Sequence, residues 1–209
     1  MGDSITAAFS ARSDIMEARD ISWSVGIGYE DQLTLPWLLG QYSAHSSPPI
    51  AVQGMSTTKI LPIPIDMPHY DYHPKTDRMN VAQSEGSVGA NSLEEQWALL
   101  LDRFTEYDTP DANFKDGWKV LTVWMTANDV CGACNGLKDL TDWTDRTNQL
   151  LYNVSSTLTN VYVNLISTLN LSDVARIQRE HVGCAIEHKI LNECGCIDQG
   201  LSTPLNIFH

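Results

Sequence analysis

The chain has 209 residues, a length that fits one domain. With 43% hydrophobic and 19% charged residues it can bury a core and is not a disordered tail. Thirteen Lys and Arg stand against 26 Asp and Glu, and a formal net charge of −13 argues against a basic surface for nucleic acid or anionic lipid.

In chain order, residues 35–43 predict a short helix with Pro36 in its first turn, and residues 49–54 a short buried strand. Residues 60–78, with Pro62, Pro64, Pro68 and Pro74, predict an irregular connection, because each proline removes a backbone donor. Ser92 stands three residues before Glu95, a capping box, and Leu93, Trp97, Leu100, Leu101 and Phe104 follow at helical spacing. That helix is expected to end around Tyr107–Pro110. Residues 118–125, mostly apolar and β-branched, predict a parallel strand covered on both faces. Residues 142–158 predict a helix with Trp143, Leu150, Leu151 and Val154 inward, 160–166 a second strand, and 173–190 a helix of mixed charge.

This alternation predicts an α/β fold built on a doubly wound parallel sheet with right-handed crossovers. Ligands of such sheets sit beyond the carboxyl ends of the strands, which directs attention to Gly2 and its neighbours and to Thr126-Ala-Asn-Asp-Val-Cys131. Trp97, Trp118, Trp124 and Trp143 fall on apolar faces and read as core. Trp23 and Trp37 fall near the expected mouth of the site, where core packing is the first reading and an acyl groove the second.

Gly2-Asp3-Ser4 alone reads as a helix N-cap. Two further segments change that reading. Asn80-Val-Ala-Gln-Ser-Glu-Gly86 is a small polar turn whose glycine amide can face a ligand, and Asn128-Asp129 places a carboxamide after the strand. A serine hydroxyl, a backbone amide and a carboxamide are the parts needed to attack an ester and hold the resulting oxyanion.

These segments, in this order, resemble the SGNH or GDSL-type hydrolases, and within them the phospholipase B-like branch. The family's first block matches Gly2-Asp3-Ser4-Ile5-Thr6, and the branch's Ser-Trp-Ser-(Ile/Val)-Gly stretch matches Ser22-Trp23-Ser24-Val25-Gly26. The second block matches Asn80, Ala82 and Gly86; the third matches Asn128-Asp129 followed by Cys131 and Cys134. The resemblance implies the flavodoxin-like SGNH sheet, Ser4 as nucleophile, and an oxyanion hole formed by the Ser4 amide, the Gly86 amide and the Asn128 side chain. It implies no metal and no organic cofactor. The third block departs from the family in carrying Thr126 where glycine is usual, and a bulkier residue there is expected to crowd the oxyanion pocket or narrow the acyl groove.

The family's general base lies in a late Asp-x-x-His block, near the C-terminus, and this chain has no such spacing after its third block. Of its six histidines, His45, His69, His73, His181, His188 and His209, only His69 follows an aspartate, Asp66, by three residues, and it stands in the proline-rich stretch ahead of the second and third blocks; Asp71 precedes His73 by two in the same stretch. A serine without a base is a poor nucleophile at neutral pH. The family's first strand also precedes its serine motif. The resemblance therefore implies a single SGNH domain over residues 1–209, truncated at both ends, with an incomplete sheet and no activity by itself.

The five cysteines admit two readings. Cys131, Cys134, Cys184, Cys194 and Cys196 are candidates for structural disulfides, with Cys131 expected to bond Cys134 and one of the later three left over. The rival is a zinc clamp, for which Cys-x-Cys is an awkward unit. Sequons at Asn153 and Asn170 mark candidate N-glycosylation sites and, with the cysteines, suit a secreted chain or the outer face of a membrane. The start has no signal-peptide pattern, and no apolar run approaches the length of a membrane span. The expected function is a phospholipase or lysophospholipase acting through a serine acyl-enzyme, meeting a membrane surface through its phospholipid or lysophospholipid substrate. The alternatives are a noncatalytic lipid or glycan binder with the same fold, and an esterase for carbohydrate acetyl or other small esters. The sequence leaves the oligomeric state open.

Overall fold

In the computed structural model of the chain, the described residues are 1–12, 17–26, 33–42, 77–87, 89, 92–107, 116–134, 136, 140–168, 170–183, 185–186 and 194–195. The strand expected over 49–54 and nearly all of the proline-rich connection lie outside them.

Helix α1 (Leu35–Tyr42) opens with Pro36 in its first turn. Helix α2 (Leu93–Tyr107) starts as its capping box dictates: the Ser92 amide donates to Glu95 Oε2 at 2.8 Å, and the Glu95 amide donates to Ser92 Oγ at 3.3 Å. Two otherwise unpaired donors at the helix start are thereby satisfied. Strand β1 (Lys119–Val123) lies parallel to β2 (Val161–Leu165), with Lys119 opposite Val161 and Val123 opposite Leu165. Between them run α3 (Ala127–Cys134) and α4 (Leu140–Thr157), and α5 (Leu171–Glu180) follows β2. Parallel strands require such a helical crossover.

The opposite edge of β1 is occupied by the first residues of the chain. Gly2 forms a parallel bridge with Trp124, the Trp124 amide donates to the Met1 carbonyl at 3.1 Å, and the Asp3 amide donates to the Trp124 carbonyl at 3.3 Å. The described part is therefore an incomplete parallel sheet of an α/β fold, with residues 1–3 beside β1 and β1 beside β2. Its core gathers Leu93, Trp97 and Leu100 of α2, Leu121 and Val123 of β1, and Leu150 and Val154 of α4 around Met1, Val81 and Met125.

Three expectations are corrected. Trp118, expected in the core, is 81% exposed, because it precedes the paired stretch of β1 and shares its outer face with the exposed Val120. The segment singled out beyond the carboxyl end of the strand, Thr126–Cys131, is not an irregular connection but the start of helix α3, with the Val130 amide donating to the Thr126 carbonyl at 2.9 Å. Asp3, from the first motif, caps that helix start by accepting from the Ala127 amide. Helix α5 ends at Glu180, short of residue 190.

Cys131 bonds Cys194, with Cα atoms 4.8 Å apart and a sequence separation of 63, in place of the bridge expected to Cys134. Cys131 half-buries beside a small apolar cluster of Val130, Ala175 and Cys194, which brings a distant partner to it. This also removes Cys131 and Cys194 from a zinc clamp. Cys184, Cys196 and the side chain of Cys134 lie outside the described residues. Closing so long a loop constrains the unfolded chain far more than a bridge within one helical turn would. In the chain-entropy account it contributes about 4 kcal/mol. The Cys131→Ser, Cys194→Ser double variant should lose about 2–4 kcal/mol in urea unfolding.

Candidate active site

Glycine at position 2 is a steric requirement, since a Cβ there would meet the Thr6 hydroxyl and the Trp124 carbonyl. After it, residues 3–9 wind into turns, with the Ala7 amide donating to the Asp3 carbonyl at 3.0 Å and the Phe9 amide to the Ser4 carbonyl at 2.9 Å. Ser4 stands half-buried at the start of this winding. Asp3 is buried and acts as a cap for two segments. Its Oδ1 accepts from the Ile5 amide at 3.1 Å, and its Oδ2 accepts from the Ala127 amide at 3.2 Å, at the start of α3. Burial pushes the Asp3 carboxyl above its ordinary value, while these backbone donors pull it back. The N-cap reading of the first motif and the catalytic one are therefore compatible: the aspartate caps, and the serine follows.

The Asn80–Gly86 turn packs against the first motif. Asn80 is fully buried; its Nδ2 donates to the Thr6 carbonyl at 3.3 Å and its Oδ1 accepts from the Ala82 amide at 3.2 Å. Glu85 takes a left-handed backbone, φ +63°, and Gly86 then approaches so closely that a Cβ would lie 3.0 Å from the Gly2 carbonyl and 3.2 Å from Asp3 Cα. Only glycine permits this approach without displacing the backbone of the first motif. The Gly86 amide itself donates back to the Gln83 carbonyl at 3.0 Å.

Asn128, in the first turn of α3, donates from Nδ2 to the Gly86 carbonyl at 2.9 Å. One hydrogen of its carboxamide is thus fixed by the second segment, and the NH2 group has a second. The structure brings Gly2-Asp3-Ser4, the Asn80–Gly86 turn and Asn128 together through direct bonds. Thr126, the residue in place of glycine, is buried at the start of α3. Trp23 packs edge-on against Trp124 with ring centroids 5.7 Å apart, and both are half-buried beside this site; Trp37 is half-buried on α1. His181 is exposed beyond α5, and the other histidines lie outside the described residues. Asn153 lies on α4, half-buried, with its Oδ1 accepting from Gln149 Nε2 at 3.0 Å, whereas Asn170 is exposed just before α5. Among the described residues no three His, Cys, Asp or Glu side chains gather as for a metal ion, and no helix is long and apolar enough to cross a membrane.

Behind the turn lies a set of buried charges that sequence reasoning missed. Glu17, Arg19 and Asp77 have fully buried side chains. Arg19 Nη2 stands 2.8 Å from Glu17 Oε2 and its Nε 3.7 Å from Asp77 Oδ2, while Nη1 donates to the Asn80 carbonyl at 2.7 Å. Glu17 Oε1 accepts from the Ser84 hydroxyl at 2.6 Å and the Ser84 amide at 3.2 Å. Nothing in the local sequence marks these charges as buried.

A family model described as GDSL-like Lipase/Acylhydrolase matches residues 1–196. The chain is 26% identical over 212 residues to "Phospholipase B1, membrane-associated" of Homo sapiens, covering 97% of this chain and 13% of that protein. It is 24% identical to the proteins of the same name in Rattus norvegicus and Mus musculus, covering 94% of this chain in each and 13% and 12% of theirs. No solved structure matches the chain.

Proposed function

The chain belongs to the GDSL-like lipase/acylhydrolase family, whose fold is the SGNH α/β fold, and from that premise we propose that residues 1–209 are one domain of a lipid ester hydrolase with Ser4 as its nucleophile. With a base supplied by a longer polypeptide taking the Ser4 hydroxyl proton, Ser4 Oγ attacks the ester carbonyl carbon and the carbonyl oxygen takes up negative charge; collapse then breaks the ester C–O bond, and the leaving oxygen receives that proton and departs as the alcohol, leaving an acyl-serine. Water then attacks that acyl group and releases the acid. The observation that carries this reading is the Asn128 Nδ2 bond to the Gly86 carbonyl, which ties the carboxamide to the turn lying over Gly2 and Asp3. The second Asn128 hydrogen and the Ser4 amide are the donors for the oxyanion. The Gly86 amide joins them when its 3.0 Å bond to Gln83 opens or is shared.

The substrate class we assign is phospholipid or lysophospholipid, from the similarity to proteins named phospholipase B1. A long-range disulfide and the exposed sequon at Asn170 support a secreted or outer-face location. The test compares Ser4→Ala with the parent on p-nitrophenyl and lysophospholipid esters. The 209-residue chain by itself should show no Ser4-dependent turnover, for want of a base. A longer polypeptide supplying an Asp-x-x-His segment should show it. Lipid binding without any Ser4-dependent turnover in the longer polypeptide would replace the enzyme with a binding protein.

A further inference from the structure

Gln96 sits on the inner face of α2, within the stripe of Leu93, Trp97 and Leu100, and is fully buried. A carboxamide in such a stripe costs stability unless its donors and acceptor are met. Gln96 meets its acceptor and one of its donors on a single residue. Its Oε1 accepts from the Gly2 amide at 2.8 Å and its Nε2 donates to the Gly2 carbonyl at 2.8 Å.

The reason lies in strand geometry. Successive residues of a paired strand turn their peptide groups to opposite edges. The Met1 carbonyl and Asp3 amide turn toward Trp124, so both groups of Gly2 turn away from β1. On that side the Gln96 carboxamide occupies the place of a neighbouring strand's peptide group. The Gly2 carbonyl also accepts from the Gln83 amide at 3.1 Å, and Gly86 lies against the same carbonyl. One backbone oxygen thus joins α2, the Asn80–Gly86 turn and the serine motif.

We propose that Gln96 is a positioning residue for the nucleophile: by holding both backbone groups of Gly2 it sets Ser4 against Gly86 and Asn128. The inference deepens the reading of Ser4 as nucleophile and rests on it. Glutamate at this position supplies a diagnostic contrast. A protonated carboxyl reproduces the glutamine pattern, with its carbonyl accepting from the Gly2 amide and its hydroxyl donating to the Gly2 carbonyl. An ionised one offers only acceptors and faces the Gly2 carbonyl oxygen with a negative charge.

The experiment uses the 209-residue chain and needs no turnover. Thermal unfolding is followed across the acid-to-neutral range for the parent, Q96E and Q96L. Q96E should match the parent in acid and fall below it as its carboxyl ionises, while Q96L should lie below the parent by an amount that does not change with pH. Alkylation of an S4C thiol by iodoacetamide then reads the pose of residue 4. Its rate should change by about tenfold between the Gln96 and Q96L backgrounds, and in Q96E it should return toward the Gln96 value in acid. A Q96E stability profile parallel to the parent's would overturn the clamp. Equal S4C alkylation in all backgrounds would overturn the positioning role while leaving Gln96 a stability residue. Neither outcome depends on whether the chain hydrolyses lipid, which the Ser4→Ala comparison decides separately.

Discussion

Replacing Arg19 with methionine should destabilise the folded chain by about 3–5 kcal/mol, the range found when one partner of a buried ion pair is removed. The substitution keeps most of the side chain's volume but leaves the Glu17 and Asp77 carboxylates buried with no cation between them. It also removes the donor to the Asn80 carbonyl, so the strain falls on the turn that carries Gly86. Urea unfolding at neutral pH measures the effect, provided the dependence on denaturant is unchanged. Glu17→Gln should destabilise as well, because an amide oxygen that accepts from Ser84 leaves the amide NH2 facing the donor-only guanidinium of Arg19. A loss below about 1 kcal/mol for Arg19→Met, a value typical of solvent-exposed pairs, would mean that water reaches these charges.

The second large effect concerns Asn128. In a longer polypeptide that supplies the base, Asn128→Ala should lower kcat by about 10²–10³, roughly 3–4 kcal/mol of transition-state stabilisation, and leave KM within a few-fold. The donor acts on charge that develops only during attack, so its loss shows in turnover before binding. The same side chain bonds the Gly86 carbonyl, and its removal should lower the thermal midpoint slightly. Measuring kcat and thermal stability on one variant separates the two roles. A lowered midpoint with unchanged kcat would make Asn128 a brace for the turn and remove it from the oxyanion hole.

What was legible in the sequence depended on how local the determinants are. The capping box at Ser92 and the apolar spacing after it lie within four turns of helix, and α2 formed where they placed it. The apolar run of β1 and the periodicity of α4 carry the same kind of local information. Trp118 misled because hydrophobicity reports what a residue prefers, whereas its burial depends on what covers that stretch of the sheet. The Cys131 bridge was misassigned because pairing depends on which surface α3 presents, and its partner lies 63 residues away. Spacing along the chain carries no trace of that. Arg19, Glu17 and Gln96 escaped notice for a related reason. Polar residues in loops and helices read as solvated by default, and only the tertiary contacts of Asn80, Ser84 and Gly2 show that they are buried with their partners. The three motif segments were found through their order along the chain, and their mutual contacts, such as Asn128 on Gly86, became visible only in three dimensions.

The pairing of the first residues with the middle of the chain also bears on how the protein is made. Met1 donates to the Thr122 carbonyl across a separation of 121 residues. On a ribosome adding ~5–20 residues per second, the serine motif emerges roughly 6–25 s before the strand it docks on has been synthesised. Through that interval the Met1 carbonyl and the Asp3 amide have no strand to pair with. The serine segment is therefore synthesised well before the strand it docks on, so a nascent chain stalled before Trp124 presents an incompletely formed site to chaperones and proteases.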